Sequence, residues 1–370
     1  MNSHTSPELD PSRAHINPLG LRSIDHIEFI VDNADEWADY HVQCMGMQKR
    51  AYGDESTGLK GRRAFVVGQG RVNFIFAEPQ GDSPEANQLR AHFDKHGNGV
   101  KDIAFRVKNA ANSLKTASES GATVVRDLDV QDGFQAGSIA AYGDTIHTFL
   151  ERDRGAPFAP GYQNIPGGIE DSDIHFMMID HVVANVEDMD QWCDYYRKIF
   201  GFDQLAHFNI DTGRSSLMSK VMKDNLGYIK LPINEPSSEN SQIQLYLDDY
   251  KGPGVQHIAL LTSNIITAIS EMRSNGVDFL HVPDTYFEEL PGRVGEIEEP
   301  LDKLQENGIL VDRDRPDGYL LQLFTKPIFE RPTLFYEVIQ RKGNSDGFGE
   351  GNFQALFEAI EREQERRGLL

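Results

Sequence analysis

From residue 24 to 31 apolar and polar side chains alternate with period two, the pattern of a half-buried strand. Trp37, Tyr40, His41 and Met45 then recur at helical spacing, and Gly46 closes that run. Short strand patterns follow at 63–67, 72–77 and 100–107, then a helix over 110–120 stopped by Gly121, and strands again to about Glu151. A second series starts with a strand at 180–186, a helix at 189–199, and strands at 215–222, 227–231 and 242–247. Its closing strands, 318–325 and 333–341, come late, after an extra stretch between 280 and 317 in which residues 294–307 predict an amphipathic helix able to cover one mouth of a barrel. A last helix is expected over 352–367, where Phe353, Leu356, Phe357 and Ile360 share one face.

The two series are copies. Asp25-His26 answers Asp180-His181 at a separation of 155 positions (180 − 25), and the same offset pairs Trp37 with Trp192, Tyr40 with Tyr195, Gly46 with Gly201, and Gly99-Val100 with Gly254-Val255. A register held that long marks a duplicated supersecondary unit. The expected fold is therefore α+β: two tandem modules of paired βαβββ units closing as half-open barrels, with a C-terminal helix. The boundaries read as an arm over 1–20, a first module over 21–156, a proline- and glycine-rich linker over 157–176, and a second module over 177–370.

Composition narrows the functional classes. The 36 basic and 58 acidic residues leave a net charge of −22, which repels phosphate backbones and anionic lipid surfaces, so neither nucleic acid nor a membrane is an expected partner. Cys44 and Cys193 sit at non-equivalent positions of the repeat and read as buried thiols of a cytoplasmic protein. No run approaches the 18 apolar residues of a membrane span.

The copies differ in chemistry. Where the first carries Asp102, the second carries His257, so only the second has a histidine on both strands. Two imidazoles and a carboxylate on one face, with positions left open, suit a divalent iron ion. His181, His257 and Glu337 fit, because Glu337 lies in the apolar run 334–339, where alternation buries it with Phe335 and Ile339 and an unpartnered carboxylate is costly. Each histidine alone reads more readily as a hydrogen-bonded core residue than as a ligand; their joint occurrence favours a site. His26 reads as structural or vestigial, with Asp102 and Glu151 as the first-half counterparts of His257 and Glu337.

The segments 180–183, 254–259, 318–326 and 347–353 resemble those of the 4-hydroxyphenylpyruvate dioxygenase family, over roughly residues 20 to 368. That resemblance implies the vicinal oxygen chelate fold, one Fe(II) per chain on His181, His257 and Glu337, and conversion of an aryl pyruvate and dioxygen to homogentisate and carbon dioxide. It also places Ser219, Asn234, Gln242, Gln256 and Gln322 against the substrate, with Ser219, Asn234, Gln242 and Gln322 assisting catalysis. Such amides and hydroxyls bond a phenol or a keto acid without adding charge. Gln256, next to a ligand in an ideal strand, would point away from it. Phe324, Phe335, Phe348, Asn352 and Phe353 complete the implied substrate pocket, Gly347, Gly349 and Gly351 the hinge of a lid helix, and a homodimer or homotetramer the implied assembly. Three alternatives share these features in part: hydroxymandelate synthase, with the same substrate but attack at the benzylic carbon; a non-catalytic binding member of the superfamily; and a glyoxalase-like isomerase or lyase.

Overall fold

The computed structural model describes residues 17–167, 172–211, 216–238 and 241–353; the expected lid helix lies outside them from residue 354 on. The first half contains β1 (Leu21–Ile30), α1 (Ala34–Met45), β2 (Gln48–Gly53), β3 (Arg62–Gln69), β4 (Val72–Pro79), α2 (Pro84–His96), β5 (Gly99–Val107), α3 (Ala110–Glu119), β6 (Val124–Gln131), β7 (Phe134–Ala140), β8 (Ile146–Arg152) and β9 (Gln163–Asn164). These strands form one curled sheet in the order β6-β7-β8-β5-β1-β4-β3-β2-β9. The second half contains β10 (Phe176–Asn185), α4 (Met189–Tyr195), β11 (Asp203–Asp211), β12 (Ser216–Lys223), β13 (Lys230–Pro236), α5 (Gln242–Tyr250), β14 (Gly254–Thr262), α6 (Ile265–Ser274), α7 (Asp284–Val294), α8 (Leu301–Asn307), β15 (Leu310–Arg315), β16 (Gly318–Phe324) and β17 (Phe335–Gly343). Its sheet runs β11-β12-β13-β10-β14-β17-β16-β15. Each half thus joins two βαβββ units through a central antiparallel pair, β1 with β5 and β10 with β14.

Some elements depart from the sequence reading, each for a local reason. Residues 242–247 were expected as a strand because Ile243, Leu245 and Leu247 alternate; they are helical. Ile243, Tyr246, Leu247 and Tyr250 form the buried i, i+3, i+4, i+7 stripe, the Ser241 side chain caps the Gln244 amide, and Leu245 is left exposed. The helix expected over 294–307 is divided, since Gly295 ends α7 at φ +70° and Pro300 opens α8. Helix α2 was not foreseen, although Ser83 caps it and Pro84 stands at its first position. Within the proline- and glycine-rich stretch, β9 pairs with β2 and so belongs to the first sheet. Cys193 is buried, but Cys44 is only half-buried.

Aromatic and aliphatic side chains of both halves pack into one continuous core, and two reciprocal hydrogen bonds cross the seam. The Tyr336 hydroxyl of β17 donates to Nε2 of His41 on α1 at 2.7 Å, while the Tyr196 hydroxyl donates to Nε2 of His147 on β8, also at 2.7 Å. Tyr196 is the equivalent of His41 under the 155 offset, so histidine and tyrosine have exchanged places across an approximate twofold. Each imidazole uses Nδ1–H on a backbone carbonyl, of Trp37 or Ile103, and must be neutral to accept at Nε2. Burial holds both rings in that state, pushing His41 down to about 4 and His147 to about 3.

Candidate metal centre

His181, His257 and Glu337 lie on β10, β14 and β17, three adjacent strands at the middle of the second sheet. Val183 faces His257 across the antiparallel pair, and His257 and Ala259 face Phe335 and Glu337 across the parallel one. The Nε2 atoms of His181 and His257 stand 3.1 and 3.5 Å from the same oxygen, Glu337 Oε2. One ligand atom from each of the three residues falls within 4.8 Å of the others. With metal–ligand bonds of about 2.1 Å, neighbouring ligands of an octahedral ion stand about 3 Å apart, so these separations suit a shared cation.

The backbone makes this convergence possible through two bulges. On β10 the register slips between Ile179 and His181, and on β14 it slips by one residue at Gln256, between the partners of Val183 and Ala184. A bulge turns two consecutive side chains toward one side. Asp180 therefore accepts from Nδ1 of its own neighbour His181 at 2.8 Å, and Gln256 Oε1 accepts from Nδ1 of His257 at 3.0 Å. Gln256, expected to point away from its neighbour, instead orients it. With both Nδ1 atoms donating, both Nε2 lone pairs aim at the centre, as metal-bound histidines require.

Charge at the site is organised around buried carboxylates. Glu337 is almost fully buried and, among the described residues, its Oε1 has no hydrogen-bond partner, an orphan that a bound cation would satisfy. Burial by itself would raise the Glu337 carboxyl, but the His181 and His257 imidazoles hold it down to about 2. Asp180 likewise stays ionised against burial, because Arg341 grips it through two hydrogen bonds of 2.8 and 2.7 Å and Lys230 lies 3.5 Å away. Arg341 and Lys230 were not singled out from the sequence, and Asp180 was noted only as a landmark of the repeat, without a role at the site. Arg341 lies two steps of alternation beyond Glu337 on β17, which was the available signal.

The other residues named from the sequence fall in three groups. Phe335 stacks on His257 at 4.8 Å, Phe324 sits 6.1 Å from it, Phe353 packs 6.1 Å from Phe324, and Phe348 meets His181 edge-on at 5.1 Å, so four aromatic rings wall the centre. Ser219 and Asn234 are buried opposite each other on β12 and β13, and the Asn234 amide donates to Asn185 at 3.1 Å and Gln256 at 3.5 Å. Gln322 is fully buried with neither amide atom hydrogen-bonded among the described residues, and Gly349, at φ +76°, lets the backbone close on it where a Cβ would collide with that amide. Asn352 is engaged elsewhere: its Oδ1 accepts from the Tyr286 hydroxyl at 2.7 Å and from Arg293, which anchors the segment after β17 to α7. Gln242 is exposed in the first turn of α5. Asn185, buried beside Asn234 with an unpartnered Nδ2, was missed.

The first half shows what the same positions become without the ligand set. Asp102 pairs with Ile146 as His257 pairs with Phe335, so the true counterpart of Glu337, two residues further along, is Thr148. The expectation for Glu151 was wrong by three residues: its carboxylate accepts from the Ala110 amide and caps α3, as Gln340 accepts from Ile265 and caps α6. Asp102 accepts from the backbone amide and hydroxyl of Thr148, and Asp25 accepts from Nδ1 of its own neighbour His26. His26, Asp102 and Glu151 do not form a metal-binding group among the described residues.

Comparison with known proteins follows the same division. Residues 15–173 match the family model described as hydroxyphenylpyruvate dioxygenase, N-terminal, and residues 178–290 match the glyoxalase/bleomycin resistance protein/dioxygenase superfamily. The 4-hydroxyphenylpyruvate dioxygenase of Coccidioides posadasii is 40% identical, covering 99% of this chain and 98% of its own length. That of Dictyostelium discoideum is 41% identical, covering 95% of this chain and all of its own. Among solved structures, a triple mutant of 4-hydroxymandelate synthase from Streptomyces coelicolor superposes with a TM-score of 0.80 at 27% identity, over 93% of this chain and 99% of that one.

Proposed function

Because this chain belongs to the 4-hydroxyphenylpyruvate dioxygenase family, we propose that its second half holds one Fe(II) on His181, His257 and Glu337 and that the surrounding pocket positions 4-hydroxyphenylpyruvate for oxidation by dioxygen. The chain is an enzyme of that activity, yielding homogentisate and carbon dioxide. The observation that carries the metal assignment is the orphaned Oε1 of Glu337 beside two Nε2 lone pairs, a buried donor set of two nitrogens and one carboxylate whose Oε1 takes no hydrogen bond from the described residues. Held there by His181, His257 and Glu337, ferrous iron would supply a redox-active coordination site for dioxygen and a Lewis acid for the keto acid of the substrate, the net electrons coming from the substrate itself.

The protein's own contribution is orientation and dryness. Asp180 and Gln256 fix the two imidazoles, and Arg341 fixes Asp180. Phe335, Phe324, Phe348 and Phe353 offer flat apolar walls to a phenyl ring, and the unpartnered amide of Gln322, with Ser219 and Asn234, offers neutral donors and acceptors to the phenol or the keto acid. Gln242, exposed on α5, is assigned to the same pocket by the family resemblance alone. Assembly as a homodimer or homotetramer in the cytoplasm completes the reading; among the described residues no helix is long and apolar enough to cross a membrane. The test is product analysis of iron-loaded protein given 4-hydroxyphenylpyruvate and dioxygen. Homogentisate is the expected product, hydroxymandelate would assign benzylic attack instead, and a failure to consume dioxygen would remove the activity altogether.

A further inference from the structure

A second group of potential ligands lies in the first half, away from the centre just described: His92 and His96 on α2 and Asp144 in the turn before β8, whose ligand atoms also fall within 4.8 Å of one another. His92 and His96 stand four residues apart on a helix, so both imidazoles project from one face. His92 is 3% exposed, and among the described residues neither of its ring nitrogens has a hydrogen-bond partner; Nδ1 is 3.7 Å from Asp144 Oδ2. A buried imidazole without a partner is an expense that a core histidine does not normally incur.

His96 supplies an independent argument. Its Nδ1 lies 2.5 Å from the carbonyl oxygen of Tyr250, one of the carbonyls left over at the end of α5, and a carbonyl can only accept. Nδ1 is therefore the donor, and a neutral ring then carries its lone pair at Nε2, which points at Asp144 Oδ2 from 3.0 Å. Two lone pairs face each other there. A proton on His96 would relieve that one contact but leave His92 without a partner; a divalent cation on Asp144 Oδ2 answers both histidines at once. Ligands of a tetrahedral ion with bonds of about 2.1 Å stand about 3.4 Å apart, and 3.0 and 3.7 Å bracket that value. The surroundings resemble the outer shell of a metal site: the Tyr250 carbonyl fixes the His96 tautomer, Lys95 lies 3.4 Å from the other Asp144 oxygen, and Lys101 donates to the Asp144 carbonyl. An entry path exists, since His92 and Asp144 line a cavity of about 950 Å³ in the first half.

We propose that His92, His96 and Asp144 form a second metal site that binds a divalent transition-metal ion of the zinc class, with water completing its coordination. Its role is structural: through the Tyr250 carbonyl and the His96–Tyr250 ring stack, 4.2 Å between centroids, it ties α2 of the first half to α5 of the second. The experiment is elemental analysis of the full-length protein, stripped of metal and dialysed against Zn²⁺, with Glu337→Gln and Asp144→Asn as variants. Asp144 is the most solvent-accessible of the three ligands, so its amide variant is expected to fold; His92→Asn is the second probe. Two zinc ions per chain are expected in the parent and one in each single variant, and zinc should raise the thermal midpoint of Glu337→Gln but not of Glu337→Gln/Asp144→Asn. One ion in the parent, lost in Glu337→Gln, overturns the second site. So does retention of two ions by Asp144→Asn. Because the count at His92 and His96 does not involve Glu337, its failure leaves the reading of the first centre intact.

Discussion

The two halves share a scaffold down to single hydrogen bonds and differ in their chemistry. In both, a bulge sets an aspartate beside a histidine, Asp25-His26 and Asp180-His181, and an arginine from the last strand of the module, Arg152 or Arg341, grips that aspartate. In both, a side chain one residue before that arginine caps the helix that follows the central strand β5 or β14. What changes is the pair of positions facing the histidine. His257 and Glu337 become Asp102 and Thr148, which bond each other, and Val183 becomes Glu28, which pairs with Arg62. Both halves thus keep the buried Asp–Arg and Asp–His contacts, whereas the candidate ligand set of the second half differs from the first at two side chains. Duplication preserved the frame and let one copy lose, or the other gain, the ligands.

The comparison can be broken or sharpened at specific residues, and the largest effect is expected at Glu337. Glu337→Ala removes the carboxylate of the proposed ligand set, and turnover should fall to background while circular dichroism and the denaturation midpoint show a folded protein; turnover close to the parent value would mean that the second half does not differ from the first in the way described. Next comes Asp25 in the half without the centre. Burial favours its neutral form, yet His26, Arg152 and Arg106 hold it well below the usual carboxylate range, so the folded state binds its proton more weakly than the unfolded chain does. Its stabilisation is therefore complete above an unfolded pKa of about 3.9 and is lost as pH falls through and below that value. Asp25→Asn should cost about 3 kcal/mol at pH 7, because it strands Arg152, and should flatten the acid limb in urea titrations run at several pH values. An unchanged acid limb would show that the shared Asp–Arg contact is not what holds the first half. The smallest of the three effects is expected for Gln256→Ala, which frees the His257 ring without removing a ligand: iron affinity measured by competition with a chelator should drop about 10- to 100-fold, with the fold unaffected. A loss of less than twofold would make Gln256 a bystander.

The sequence disclosed a good deal of this. Helix α1 is legible to the residue, because the apolar spacing, the Asn33 cap and Gly46, which adopts φ +65°, are all local signals. Glu337 was legible because a carboxylate inside an apolar strand must have a partner. Helix α5 was not, since over six residues a strand and a helix can share the same apolar positions, and only the longer stripe to Tyr250 separates them. Glu151 was mistaken for the counterpart of Glu337 because Phe149-Leu150-Glu151 looks like Phe335-Tyr336-Glu337, whereas pairing of β8 with β5 makes Thr148 the equivalent.

What the sequence determined by itself is the duplication, the element types that follow from local periodicity, and the identity of the side chains able to bind a cation. The tertiary structure alone decided which of them meet. Hydrogen-bond register between strands distant in the chain, and the bulges that shift it by one residue, turned Gln256 toward His257 and set Arg341 on Asp180, while the packing of helix α2 against the turn before β8 brought His92 and His96 to Asp144. Such contacts leave no trace in the spacing of residues along the chain, because a slip of one position reverses the face to which a side chain points while leaving the local pattern unchanged.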